Sequence, residues 1–230
     1  MKKNVSVAWT NLRLWKNSMQ LAPALLEHTF EDFARDVKKI EGLFEYAQID
    51  IMDGGFVPTT SFGDIEKINE LHSPLKWELH LMVTNPLAEM QKWQEIKNIF
   101  RVIFHIESSS DPAACIAFAR GKCWEVGIAL NPKTELVKVE PYYEQIDVVQ
   151  FMTVVPGRQG GAFIPEVGEK IAEFSTLKKR PLCAVDGAVS EHTIPALTSW
   201  GVEIFNVGSA LLKAPNTVEA FQKLTTTLKI

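Results

Sequence analysis

Short apolar runs alternate with amphipathic segments along nearly the whole chain. Eight runs rich in Val, Ile, Leu and Phe have the length and character of buried parallel strands: Met19–Leu25, Tyr46–Met52, Lys76–Met82, Ile99–Ile106, Glu125–Leu130, Val148–Val154, Leu182–Val185 and Ile204–Val207. Between them, helical patterns occupy Thr29–Ile40, Pro86–Ile96, Pro112–Gly121, Pro165–Lys178, Ser190–Trp200 and Pro215–Leu228. Caps support several of these starts. Thr29 precedes Asp32 at capping-box spacing, Asp111 and Ser190 are N-cap types, and Pro112 suits a first helical turn. Alternating β and α units fit either a closed (β/α)8 barrel or a doubly wound open sheet. The open sheet usually carries a Gly-rich turn after its first strand, whereas this strand runs into Ala22-Pro23-Ala24. The expectation is one α/β domain over 1–230, a (β/α)8 TIM barrel, with 1–18 as an N-terminal arm.

Composition narrows the picture further. A length of 230 residues suits one α/β barrel, and 46 % hydrophobic with 23 % charged residues favours a large core over disorder. A net charge of −4 disfavours nucleic acid or an anionic membrane as partner. No apolar run approaches the roughly 18 residues of a membrane span. The first twenty residues lack the uninterrupted apolar core and cleavage site of a signal peptide. Cys115, Cys123 and Cys183 have no framework spacing, which fits a reducing compartment. A soluble, cytoplasmic protein is expected.

Catalytic side chains of such barrels come from the C-terminal ends of strands and the loops beyond them. On the second strand, alternation puts Gln48, Asp50 and Met52 on one face and Ile49 and Ile51 on the other. The isoleucines suit the layer beneath the helices, so Gln48 and Asp50 are assigned to the barrel mouth. A carboxylate there is costly unless it is paired or ligating. Asp53-Gly54 reads better as a turn. On the third strand, His80 shares a face with Glu78 and Met82, and it fits a metal ligand or a satisfied core histidine equally well. His105 reads as a supporting hydrogen bonder, and His28, His72 and His192 as surface residues. Asp186 ends the seventh strand and suits the mouth better than a helix-initiating turn. Glycine clusters follow three strands: Gly157 with Gly160 and Gly161, Gly187, and Gly208 before Ser209. Glycine lets backbone N–H groups approach an oxyanion, so together these loops point to a phosphate site.

Several strings then stand in a telling order: Leu21-Ala22-Pro23, Ile51-Met52-Asp53-Gly54 with Phe56-Val57-Pro58, His80-Leu81-Met82 with Asn85-Pro86, Ala129-Leu130-Asn131-Pro132, Val185-Asp186-Gly187 and Gly208-Ser209-Ala210. From about Met19 onward the chain resembles the ribulose-phosphate 3-epimerases. That resemblance implies a barrel of the ribulose-phosphate-binding type and an isomerase of carbohydrate metabolism, in the pentose phosphate pathway. It implies interconversion of D-ribulose 5-phosphate and D-xylulose 5-phosphate, with Asp50 and Asp186 exchanging the C3 proton on opposite faces of the sugar. It implies one divalent metal (Zn, Fe, Mn, Co or Mg) held by Asp50, His80, Asp186 and the residue at 48. It also implies that Met52, Met82 and Met152 shield the reacting carbon, that backbone near Gly187 and Gly208 holds phosphate, and that Gly157, Gly160 and Ser209 line the substrate site. The partner is a phosphorylated ketose, and a homo-oligomer is expected.

Departures cluster at the mouth. Gln48 replaces a metal-binding histidine, Ala24 a serine, Gly55 a histidine and Thr59 an asparagine; Gly157-Arg158-Gln159-Gly160 and Gly187-Ala188 replace more glycine-rich loops. The amide oxygen of Gln48 would suit Mg2+, Mn2+ or Ca2+ better than Zn2+. Two other readings follow from these changes: an epimerase for another ketose phosphate, or a catalytically impaired barrel that binds a phosphosugar. An aldolase or decarboxylase of related fold is disfavoured, because no lysine accompanies the second-strand carboxylates.

Overall fold

A computed structural model describes residues 19–108, 111–157 and 160–229. Its eight strands are β1 (Gln20–Leu25), β2 (Tyr46–Met52), β3 (Lys76–Met82), β4 (Ile99–His105), β5 (Glu125–Leu130), β6 (Val148–Met152), β7 (Leu182–Asp186) and β8 (Ile204–Val207). They pair in parallel in chain order, and β8 closes onto β1. The closed barrel is the expected architecture, and each expected strand is present with ends shifted by two residues at most. The expected arm at 1–18 lies outside the described residues.

The helices are α1 (Phe30–Ile40), α2 (Ile65–Glu70), α3 (Pro86–Trp93), α4 (Pro112–Gly121), α5 (Val167–Ser175), α6 (Ile194–Ser199), α7 (Ser209–Leu212) and α8 (Thr217–Leu228). Thr29 caps α1 by accepting from the Asp32 amide, and Asp111 caps α4 through the Ala114 amide. Ser190 is not a cap. Its amide donates to Thr193 Oγ1 in a preceding turn, and the helix begins only at Ile194. No α-helix follows β5; two 3-10 turns, Leu136–Lys138 and Glu140–Tyr142, take that place, the second containing Pro141. Among the described residues, no helix is long and apolar enough to cross a membrane.

Strand alternation divides the interior. Ile49, Ile51, Leu79, Leu81, Val185 and Phe205 face outward into the layer under the helices. Ile103, Ala129, Val148, Ala184 and Ile204 plug the barrel axis. The plug closes the middle of the barrel, so polar side chains can gather only above and below it.

Candidate active site

Register places Asp50 beside His80 and Met52 beside Met82 on β2 and β3. On the other side, β7 sets Asp186 between Met152 of β6 and Asn206 of β8. All three polar groups therefore converge at the C-terminal mouth. His80 Nδ1 lies 2.9 Å from Asp50 Oδ1 and 3.0 Å from Asp186 Oδ2. The three residues are 0 %, 6 % and 7 % exposed respectively.

Burial, and next the charge of Asp186, lift the Asp50 carboxyl to about 6, against hydrogen bonds from His80 and Gln48. Burial disfavours a charged His80 ring, but its hydrogen bonds to Asp186 and Asp50 outweigh that and raise the imidazole to about 10. Two acids thus share one base in a space with little water, the arrangement that keeps a proton or a cation in place.

Asp50, His80 and Asp186 offer ligand atoms that all lie within 4.8 Å of one another. A histidine and two carboxylates from three strands form a donor set that leaves positions open for substrate, so these residues fit a divalent ion. Gln48 is arranged otherwise than expected. Its Nε2 donates to Asp50 Oδ1 at 2.8 Å and to Asp186 Oδ2 at 3.1 Å. Its Oε1 accepts from Asn206 Nδ2 at 2.8 Å, and Asn206 also donates to Gln150 Oε1 at 2.8 Å. Sequence reasoning assigned the Gln48 oxygen to a metal; in this structure that oxygen is turned to Asn206, and the amide bridges the two acids as a donor.

The same mouth is lined by Met82 and Met152, and by Gly157, Gly160, Gly187, Gly208 and Ser209 from the loops after β6, β7 and β8. Met52 sits just behind, packed with Leu26, Val57 and Met82. Gly187 has φ of +104°, and a Cβ there would come within 2.5 Å of Val154, so this turn requires glycine. The Thr153 hydroxyl closes the turn by donating to the Gly187 carbonyl. Arg158 and Gln159 lie outside the described residues.

Asp53 is a turn residue, as its context suggested. Its Oδ1 accepts from the amides of Gly55 and Phe56, and its Oδ2 from the amide and hydroxyl of Thr84 at 2.7 and 2.6 Å. A Cβ at Gly55 would meet Thr84 Cγ2 at 2.7 Å, so the missing side chain at 55 goes with this latch. His105 stands behind His80, with the two Nε2 atoms 3.0 Å apart. Sequence reasoning missed Asn206 and Gln150 as members of the site. The available signal was a polar residue interrupting each apolar strand at inward register, in Val148-Val149-Gln150 and Phe205-Asn206-Val207.

The family model described as the ribulose-phosphate 3 epimerase family matches residues 20–212. A ribulose-phosphate 3-epimerase of Schizosaccharomyces pombe is 31 % identical over 212 residues, 89 % of this chain and 92 % of that one. One from Bacillus subtilis is 30 % identical over 202 residues, 84 % of this chain and 92 % of its own length. Among solved structures, a 3-hexulose-6-phosphate synthase from Salmonella typhimurium superposes with a TM-score of 0.70 at 16 % identity. It covers 92 % of this chain and 99 % of that one, a likeness of fold alone.

Proposed function

The chain belongs to the ribulose-phosphate 3 epimerase family, carbohydrate isomerases acting on phosphorylated ketoses, and from that premise we propose that it interconverts D-ribulose 5-phosphate and D-xylulose 5-phosphate. The observation that carries this reading is the convergence of Asp50 and Asp186, from β2 and β7, on one buried histidine. With the sugar between them, one carboxylate takes the C3 proton from one face, and an enediolate forms. The other, protonated, returns a proton to the opposite face, so C3 inverts and each acid ends with the other's charge. Met52, Met82 and Met152 keep water from the planar intermediate. Backbone N–H groups around Gly187 and Gly208 hold the phosphate and orient the ketose.

Asp50, His80 and Asp186 would hold a divalent ion. When bound, such an ion supplies Lewis acidity for the oxyanion beside C3. Gln48 keeps both carboxylates hydrogen-bonded and aimed inward. The test is epimerisation of D-ribulose 5-phosphate in D2O. Deuterium incorporated at C3 together with formation of the epimer supports the reading, and binding without exchange would replace it with a phosphosugar-binding barrel.

One observation favours a second substrate. Ala24 lines the mouth without a hydroxyl, Gly55 has no room for a side chain, and the Thr59 hydroxyl is committed to the Gly157 carbonyl. The sugar thereby meets fewer polar partners than the family pattern implies. Faster C3 exchange with another pentulose or hexulose phosphate than with D-ribulose 5-phosphate would identify that substrate.

A further inference from the structure

We propose that Glu107 and His105 are positioning residues that hold a proton on His80 Nε2, so that Nδ1, which faces Asp50 and Asp186, is the ring nitrogen that can exchange its proton for a metal ion. The inference rests on the reading of Asp50, His80 and Asp186 as a metal-holding reaction centre. It starts from the 3.0 Å separation of His80 Nε2 and His105 Nε2, with both rings fully buried. Two ring nitrogens at that distance need one proton between them, and only one.

The other side of His105 decides who owns that proton. His105 Nδ1 lies 3.3 Å from Glu107 Oε2. An ionised carboxylate only accepts, so the proton of a neutral His105 resides on Nδ1. Its Nε2 is then an acceptor, and the proton between the rings belongs to His80 Nε2. His80 Nδ1, 2.9 and 3.0 Å from the two carboxylates, donates to them in the absence of a metal, and once an ion replaces that proton the ring that keeps Nε2 protonated offers its lone pair at Nδ1.

Glu107 is itself held in place. Its Oε1 accepts from the Asn131 amide at 2.8 Å and from the Thr134 hydroxyl. Lys170 Nζ ties down that loop by donating to the carbonyls of Asn131, Pro132 and Thr134 at 3.1, 3.0 and 2.7 Å. The Phe56 ring covers His105 with centroids 4.8 Å apart. The chain Glu107–His105–His80 thus has one direction of hydrogen bonding, set from the loop end. A simpler role for Glu107, a tie between β4 and the loop after β5, predicts no such direction.

Glu107→Gln separates the two. Asn131 and Thr134 still need an acceptor, so the amide oxygen stays with them and the NH2 faces His105 Nδ1. That donor moves the His105 proton to Nε2, and His80 must then accept at Nε2 and carry its own proton on Nδ1. Imidazole 15N NMR on metal-free protein should show His105 protonated at Nδ1 in the unmodified chain and at Nε2 in Glu107→Gln. Mn2+ titration calorimetry should show affinity lowered by about 10–100-fold in Glu107→Gln, as for other lost supports of metal ligands. Thr134→Val, which loosens the same tie without reversing a donor, should stay within about threefold of the unmodified protein, below the range for such supports.

Three results would overturn the proposal: His105 protonated at Nε2 in the unmodified protein, unchanged Mn2+ affinity in Glu107→Gln, or equal weakening in Thr134→Val. If Glu107→Gln does not fold, the tautomer of the unmodified protein decides. No step of this test measures turnover, so a failure of the epimerase reading leaves it intact. Absence of Mn2+ binding by the unmodified protein would overturn the metal reading beneath it, while the His105 tautomer still decides the relay.

Discussion

The barrel buries carboxylates at two levels, and the two are built from opposite kinds of partner. At the floor, Glu78 is fully buried, with Arg101 Nη1 2.6 Å from its Oε2. The same guanidinium holds Glu125 Oε2 through Nε at 2.9 Å and Nη2 at 2.7 Å. At the mouth, where His80 stands two residues beyond Glu78 on β3, Asp50 of β2 and Asp186 of β7 share that histidine and the amide of Gln48. Both levels set two acids on one base, but arginine cannot give up its proton, so the base at the floor keeps its charge. Histidine can, so the mouth can take up or release a proton or a cation. Buried charge alone therefore does not mark a site in this barrel; a partner able to change its charge does.

The largest effect expected from breaking the mouth is on rate. Asp50→Asn and Asp186→Asn should each lower epimerisation by about 10²–10⁴-fold, the usual range for a general acid or base. In D2O each variant should retain slow C3 exchange with only one of the two epimers, and the two variants should favour opposite epimers. Two variants with wild-type turnover would remove the two-base mechanism.

Breaking the floor should act on stability instead. Arg101→Met leaves Glu78 buried and unpaired, which costs about 3–5 kcal/mol. Urea unfolding should show that loss, and Glu78→Gln in the same chain should recover part of it, while turnover per folded molecule stays near normal. A floor variant that folds normally but fails to turn over would dissolve the distinction between the levels.

The mouth also has a stability signature of the opposite sign. Folding raises the Asp50 carboxyl from 3.8 to about 6, chiefly by burial and by the Asp186 charge. A raised carboxyl favours folding only while it is protonated. That contribution is complete below pH 3.8 and is lost as pH rises through about 6. Asn resembles the protonated acid, and Asp50 Oδ1 alone accepts the bonds from Gln48 and His80, so an Asn oxygen can keep both. The stability of metal-free Asp50→Asn relative to the parent should therefore rise by on the order of 2 kcal/mol between about pH 4 and pH 6.5, a range in which His80 stays protonated in both states of the parent, since each tenfold change in proton affinity between the folded and unfolded chain is worth about 1.4 kcal/mol. The difference should be smallest near about pH 4, close to the ordinary aspartate value. Melting curves at the two pH values check this, and equal gaps at both would show that the strain at Asp50 is not electrostatic.

How much of this was legible beforehand follows from the same two levels. Strands buried on both faces read as short, mainly apolar runs even where an inward polar residue interrupts them, which is why β2, β3, β5 and β8 have the expected limits. Period-two alternation also placed Gln48, Asp50 and His80 inside. What alternation cannot give is which end of an amide faces a carboxylate. That is decided for Gln48 by Asn206, 158 residues away in the chain. Ser190 failed as a cap for a local reason: Thr193 Oγ1 takes its amide and donates to the Ala188 carbonyl, so the turn tightens before the helix begins.

The smallest effect expected, and the one that bears most directly on the departure at position 48, is that of Gln48→His. An imidazole there would add a nitrogen donor beside Asp50, His80 and Asp186, in the position from which the Gln48 oxygen is now turned away. Added nitrogen ligation should tighten binding of Zn2+ or Mn2+, by roughly tenfold if its contribution resembles that of other tuned ligands. The change also has a cost. Asn206 Nδ2 would lose one acceptor and keep only Gln150 Oε1, and the two carboxylates would lose a shared donor. Each net hydrogen bond is worth about 1 kcal/mol, so the metal-free variant should be slightly less stable while the metal-loaded one is more so. Chelator-stripped protein titrated with metal, and melted with and without it, reads both effects. Glu125→Gln at the floor serves as the reference, because a half-buried residue below the plug should leave metal affinity unchanged. If Gln48→His binds metal no better than Glu125→Gln does, position 48 lies outside the ligand shell, and the mouth holds its cation through Asp50, His80 and Asp186 alone.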